Sequence, residues 1–158
     1  MTESKASIVL VDDEEMVVTS LRALLQLETE HDIHGFTDPA EAAKFMESNE
    51  VDVCVSDYLM PGMTGIQFLT RAKELQPEAS RVLLTGHADK QSAIAAINQV
   101  ALFQYVEKPW DNAQLLLIIQ SGAERTKLFR TLRAKISELD GAHASLKEVQ
   151  RKLLKAFM

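Results

Sequence analysis

Ser7-Ile-Val-Leu-Val11 runs directly into Asp12-Asp-Glu-Glu15: a short apolar, β-branched run and then a block of acids. Apolar residues without alternation are what a strand covered on both faces requires, and such strands belong to parallel sheets flanked by helices. The pattern returns over 51–56, Val-Asp-Val-Cys-Val-Ser, and over 81–85, Arg-Val-Leu-Leu-Thr, with a weaker strand over 31–36 and a short one over 103–106. Between these runs the apolar residues recur at helical spacing. Val17, Leu21, Leu24 and Leu25 share one side of a helix over 16–27, and Phe68, Leu69 and Ala72 share one side of a helix over 66–75. Further helices are expected over 39–48, over the Ala-rich 92–100, and from about 112 onward. Asp38 before Pro39 reads as a cap with proline at the first helical position, and Asp111 caps the last helix. Strand and helix thus alternate five times, which predicts an α/β fold with a parallel sheet and right-handed crossovers that place helices on both faces.

Composition agrees with a folded domain. At 46% hydrophobic and 25% charged, the chain has enough apolar residues for a core and is neither low-complexity nor fibrous. Its longest uninterrupted apolar run, Leu115 to Ile119, is far short of the roughly 20 residues of a membrane span. Positions 1–7 are polar and lack the layout of a secretory signal, and the single cysteine, Cys54, cannot form an internal disulfide. A soluble, cytoplasmic protein is expected. Charge is uneven: net −11 through Gly122 and net +5 from Ala123 onward. A basic helix is most simply a solvated face, so nucleic-acid contact by this segment is not expected.

In an open sheet of this kind, ligands bind beyond the carboxyl ends of the strands where strand order reverses. The residues there are chemically one-sided: Asp12 and Asp13 after the first strand, Asp57 at the end of the third, Thr85 at the end of the fourth, Lys108 after the fifth. Three converging carboxylates repel one another, and a hard divalent cation with oxygen ligands resolves the conflict; Mg²⁺ suits such a site because it accepts one or two carboxylates and keeps water or phosphate oxygens. Lys108 and the Thr85 hydroxyl are then placed to hold a second anion, a phosphoryl group. Asp57 is the best candidate nucleophile, since it stands singly before the loop Tyr58-Leu-Met-Pro-Gly62, whose Pro61-Gly62 turn keeps the site open.

Four strings, Val9-Leu-Val-Asp-Asp-Glu14, Ser56-Asp-Tyr-Leu-Met-Pro-Gly62 with Gly65, Leu84-Thr-Gly86 and Tyr105-Val-Glu-Lys-Pro109, stand in order at the expected strand ends. Together they resemble the receiver domain of bacterial two-component response regulators over about residues 6–122. The resemblance implies a doubly wound, flavodoxin-like sheet of order 2-1-3-4-5. It implies that Asp57 takes a phosphoryl group from a histidine kinase or phosphotransfer protein, with Asp12, Asp13, Asp57 and the backbone carbonyl of Leu59 on Mg²⁺ and Lys108 on the phosphoryl oxygens. Thr85 would move to the phosphoryl group, Tyr105 would turn into the space it leaves, and Pro109 would follow a cis peptide bond. Leu59 and His87 would tune hydrolysis of the acyl phosphate. The output face would be the fourth helix, fifth strand and fifth helix. Such a protein is a switch, with Mg²⁺-dependent self-phosphorylation and slow autodephosphorylation as its only chemistry. Two other readings stay open: a phosphorylation-independent dimerisation scaffold, and a Mg²⁺-dependent phosphatase, for which no dedicated general acid or substrate cap is visible.

The remaining conspicuous residues have plainer readings. Cys54 is expected in the core, Trp110 as a cover or interface residue, and His31, His34 and His143 lack metal-ligand spacing. No phosphate-binding glycine loop of the GxxxxGK[ST] kind occurs.

Residues 1–122 are therefore expected to form the receiver and 123–158 a helical stalk. A heptad fits the stalk, with Phe129, Ile136, His143, Gln150 and Phe157 at a and Leu132, Leu139, Leu146 and Leu153 at d. Leucine at every d position favours a two-stranded parallel coiled coil, hence a homodimer, with Lys135 at g facing Asp140 at e of the partner. A helix folded back on its own receiver is the alternative, because Gly141 weakens the helix by about 1 kcal/mol relative to alanine. The pattern still runs at Met158, and chains continued in this way beyond a Lys-Pro-Trp motif resemble the front ends of regulators that turn over cyclic dinucleotides, dephosphorylate proteins or control transcription.

Overall fold

A computed structural model describes residues 5–140 and 147–157. The elements are β1 (Ser7–Val11), α1 (Glu15–Glu28), β2 (Asp32–Phe36), α2 (Pro39–Ser48), β3 (Val53–Asp57), α3 (Gly65–Leu75), β4 (Ser80–Thr85), a 3₁₀ turn (His87–Asp89), α4 (Lys90–Val100), β5 (Gln104–Glu107), α5 (Asn112–Asp140) and α6 (Lys147–Phe157). The five strands form one parallel sheet of order β2-β1-β3-β4-β5. This is the doubly wound architecture expected.

The strands are apolar throughout because alternate residues enter two different cores. Ile8, Leu10, Val53, Val55, Val82 and Leu84 pack with Leu21 and Leu25 of α1 and Leu115 and Ile119 of α5. Val9, Val11, Cys54 and Leu83 pack with Ala42 and Met46 of α2, Phe68 and Leu69 of α3 and Ala93 of α4. Each Val, Leu, Ile, Phe or Met side chain among them contributes about 1.5–3 kcal/mol when fully buried. The Cys54 thiol lies in the second core, and burial pushes its pKa up to about 12, so it is inert. Caps set the helix starts. Asp38 accepts from the Ala40 amide, and Asp111 accepts from the Gln114 amide at 3.2 Å. Among the described residues no helix is long and apolar enough to cross a membrane.

The boundary expected at 122 falls inside α5, which runs unbroken to Asp140. Beyond Gly122 the helix stays on the base of the sheet, at the amino ends of the strands. The Thr126 hydroxyl donates to the Asp52 carbonyl or the Gly122 carbonyl and accepts from the Ser80 amide at 3.1 Å. The Arg130 guanidinium pairs with the Asp52 carboxylate and donates to the Val51 carbonyl at 2.7 Å. Arg125 lies over the Phe103 and Phe129 rings.

Of the two readings of the tail, the described helices of a single chain follow the folded-back one. Within the chain, 129–157 is not a single continuous stalk: α6 packs against α5, and Leu154 and Phe157 share a hollow with Phe129 and Leu132. Since α6 begins near the end of α5 and its own end reaches back to Phe129, the two helices form an antiparallel hairpin. A physical reason lies in the described residues: Thr126 and Arg130 already hold the first half of α5 on the base of the receiver. Ile136 is buried, Leu139 and Leu153 are exposed, and Leu146 and His143 lie outside the described residues.

Candidate functional site

β1 and β3 are neighbours whose crossovers leave on opposite faces of the sheet, so a crevice opens beyond their carboxyl ends. Asp12 and Asp13 follow β1, and Asp57 ends β3. One carboxylate oxygen from each of the three lies within 4.8 Å of the others. Asp12 and Asp57 are buried, whereas Asp13 is exposed at the mouth. Across the crevice the Lys108 ammonium stands 2.7 Å from Asp57 Oδ1 and 3.2 Å from Asp12 Oδ2. The backbone sets that position: the Lys108 amide donates to the Thr85 carbonyl at 2.8 Å, and the Lys108–Pro109 peptide bond is cis.

The electrostatics follow from this crowding. Burial pushes the Asp12 carboxyl above the ordinary carboxylate range; the Glu14 amide, donating to Oδ1 at 2.9 Å, pulls it down, Asp57 pushes it up, and Lys108 pulls it down again. The net is a raised value. For Lys108, burial works against the charge, but hydrogen bonding and attraction to Asp57 and Asp12 outweigh it and raise the pKa. The ammonium is thus held charged between two acids.

Thr85 ends β4, one residue beyond Leu84, the register partner of Asp57. It is fully buried, and its hydroxyl has no hydrogen-bond partner among the described residues. An orphaned hydroxyl costs about 1–3 kcal/mol, so it marks a position where an acceptor is missing. Together with hard, clustered carboxylate oxygens, it is the donor set that fits Mg²⁺ and a phosphoryl group.

Other expected residues stand further out. Tyr105 lies on β5, opposite Leu83, half-buried against the α2–α4 core. Leu59 is in the loop after Asp57 with its side chain exposed. The His87 side chain lies outside the described residues. Gly65, quoted from the sequence, gains its physical reason here, and one further support was not singled out. At Gly65 a Cβ would come within 2.1 Å of the Asp57 carbonyl oxygen, so only glycine lets α3 start this close to the acid. Thr64 and Gln67 form a capping box that fixes this start, and their Thr-x-x-Gln spacing was the available signal. Gly62, at φ +80°, makes the turn before them.

The response regulator receiver domain family model matches residues 8–120. The chain belongs to the response regulator receiver domain family. It is similar to the hydrogenase transcriptional regulatory protein HoxA of Cupriavidus necator, 31% identical over 124 residues, 78% of this chain and 25% of that protein. Among solved structures it is similar to the signal receiver domain of an HD domain-containing protein from Pseudomonas fluorescens (TM-score 0.73, 32% identity, 78% of this chain and 98% of that one). It is also similar to full-length FixJ from B. japonicum (TM-score 0.73, 26% identity, 92% of this chain and 70% of that one). The chain spans about a quarter of the length of HoxA. As a receiver domain it is a signalling switch module of a two-component response regulator.

Proposed function

We propose that this receiver is a phosphoacceptor switch in which Asp57 takes a phosphoryl group from a histidine kinase or phosphotransfer protein in the cytoplasm. Mg²⁺ would be held by Asp12, Asp13, Asp57 and the backbone carbonyl of Leu59. When bound, the cation neutralises charge that accumulates on the carboxylates and the phosphoryl oxygens. One Asp57 oxygen bonds to phosphorus as the phosphorus–nitrogen bond of the donor's phosphohistidine breaks, and the electron pair leaves with the imidazole. Lys108 turns its ammonium from the carboxylate to a phosphoryl oxygen, and the Thr85 hydroxyl donates to another. The single observation that carries this reading is that buried, unpartnered hydroxyl one residue past the strand partner of Asp57.

Movement of Thr85 vacates space beside β5, and Tyr105 turns inward to fill it. The face formed by α4, β5 and α5 changes in consequence. We take residues 1–122 as the phosphoacceptor unit and 123–158 as the element it moves; because α5 crosses position 122 without a break, a shift of its first half is carried rigidly to the base. No nucleic-acid contact is assigned to this segment.

Incubation with acetyl phosphate and Mg²⁺, read by intact-protein mass, tests the proposal. One phosphoryl adduct is expected, absent with EDTA and absent in Asp57→Asn. Turnover of many phosphate esters would favour the phosphatase reading, and no adduct at all would favour the scaffold.

A further inference from the structure

The chain carries a net charge of −6, yet one hollow at the base of the receiver is walled by cations. It opens to solvent where α6 lies against α5, has a volume of about 220 Å³, and is lined by Phe129, Leu132, Leu154 and Phe157. The charged side chains in its wall are Lys73, Arg81, Arg125 and Arg133 against a single acid, Glu78, and Arg133 already holds that acid at 3.3 Å. Arg81, near the start of β4 and 3% exposed, donates to the carbonyls of Val100 at 2.9 Å, Pro77, Ala79 and Ala101. Its donors are met, but its charge is not. Arg125 of α5 donates to the Ser80 hydroxyl at 3.2 Å and lies 5.6 and 4.7 Å from the centroids of the Phe103 and Phe129 rings. Burial pushes the pKa of both guanidinium groups down, and for Arg81 repulsion from Arg125 adds to that. Among the described residues neither has a carboxylate partner.

Two neighbouring cations that lose water without meeting an acid select an anion, and the planar fork of a guanidinium matches a carboxylate. The aromatic and leucine lining requires that the rest of the ligand be apolar, and the volume lies below the roughly 300–1,000 Å³ of sites for drug-sized molecules, so the hollow suits a body of one or two rings. We propose that it is a binding site for a small organic carboxylate with an apolar body, the carboxylate set against Arg125 and Arg81 and the body between Phe129, Leu132, Leu154 and Phe157. Because Leu154 and Phe157 belong to α6 and the other groups to β4 and α5, a bound ligand clasps α6 to the receiver. The site lies at the opposite end of the sheet from Asp57 and needs no phosphoryl transfer.

Titration of the full chain with 2-naphthoate, followed by calorimetry and by the methyl NMR signals of Leu132 and Leu154, tests the proposal. Saturation at one site is expected, with shifts at both leucines and none at Leu59, which stands beside the crevice at the other end of the sheet. Naphthalene-2-carboxamide, of the same shape without the charge, is expected to bind about ten-fold more weakly, the worth of one charge-assisted hydrogen bond. Arg125→Gln is expected to weaken the acid by a similar factor and to leave the amide unaffected. Equal affinity for acid and amide, or leucine signals unmoved by millimolar 2-naphthoate, overturns the proposal. So does inorganic phosphate moving the same signals with the affinity of the naphthoate, which would make the hollow a plain anion site. The comparison of acid with amide uses the unsubstituted chain, so it decides the matter even where Arg125→Gln fails to fold.

Discussion

The two ends of the sheet treat buried polar groups in opposite ways. At the base, the Thr126 hydroxyl is shared among the Ser80 amide, the Ser80 hydroxyl and the Asp52 and Gly122 carbonyls, and Asp52 is paired with Arg130. At the crevice, Thr85 is equally buried with a hydroxyl that touches no partner among the described residues, and three carboxylates are answered by one lysine. Satisfied polar groups fix one geometry, whereas unsatisfied ones store a preference for something yet to arrive. The base is therefore read as an anchor for α5 and the crevice as a receptacle.

The largest effect is expected at the base. Arg130→Met leaves the buried Asp52 carboxylate without its cation and the Val51 carbonyl without its donor; a loss of about 3 kcal/mol is expected by urea denaturation. Next comes one substitution made at both ends. Thr126→Val, of nearly equal volume, removes one of two partners from the Ser80 amide and from the Asp52 carbonyl, which stay bonded to each other at 2.9 Å, and should cost about 1 kcal/mol. Thr85→Val removes only an orphaned hydroxyl, so it should leave stability unchanged or raise it by about 1 kcal/mol. Equal losses from the two substitutions would erase the distinction between anchor and receptacle.

The smallest effect concerns pH. The folded Asp12 carboxyl holds its proton more tightly than the unfolded one. Its contribution to stability is therefore fully present below the ordinary carboxylate pKa of about 4 and is lost as pH rises through the raised value. Asp12→Asn removes that loss, so without divalent cations the variant should melt about 2–4 °C above the wild type at neutral pH and much closer to it at about pH 4. Millimolar Mg²⁺ should close the neutral-pH gap by stabilising the wild type alone. A gap that widens toward acid pH would contradict the raised Asp12 pKa.

The crevice was legible in the sequence because its residues sit where strands end, and a strand end is visible as an apolar run stopping at a polar residue. Asp12, Asp13, Asp57, Thr85 and Lys108 are all of this kind. The anchor was not legible. Thr126 and Arg130 read as ordinary polar positions of an amphipathic helix, and nothing local joins Arg130 to Asp52, 78 residues earlier. The heptad was legible, but its partner was not, since a and d residues are satisfied alike by a second chain or by the same chain turning back. Gly141, noted as a weak point, was the feature that kept the hairpin in view.

The most direct measurement is thermal melting with fluoroberyllate, a phosphoryl mimic, in the presence of Mg²⁺. If the crevice is a receptacle built around Asp57, the mimic raises the wild-type melting temperature by several degrees, raises that of Thr85→Val less, and leaves Asp57→Asn unmoved. Equal stabilisation of Asp57→Asn, or no stabilisation of the wild type, would contradict the account.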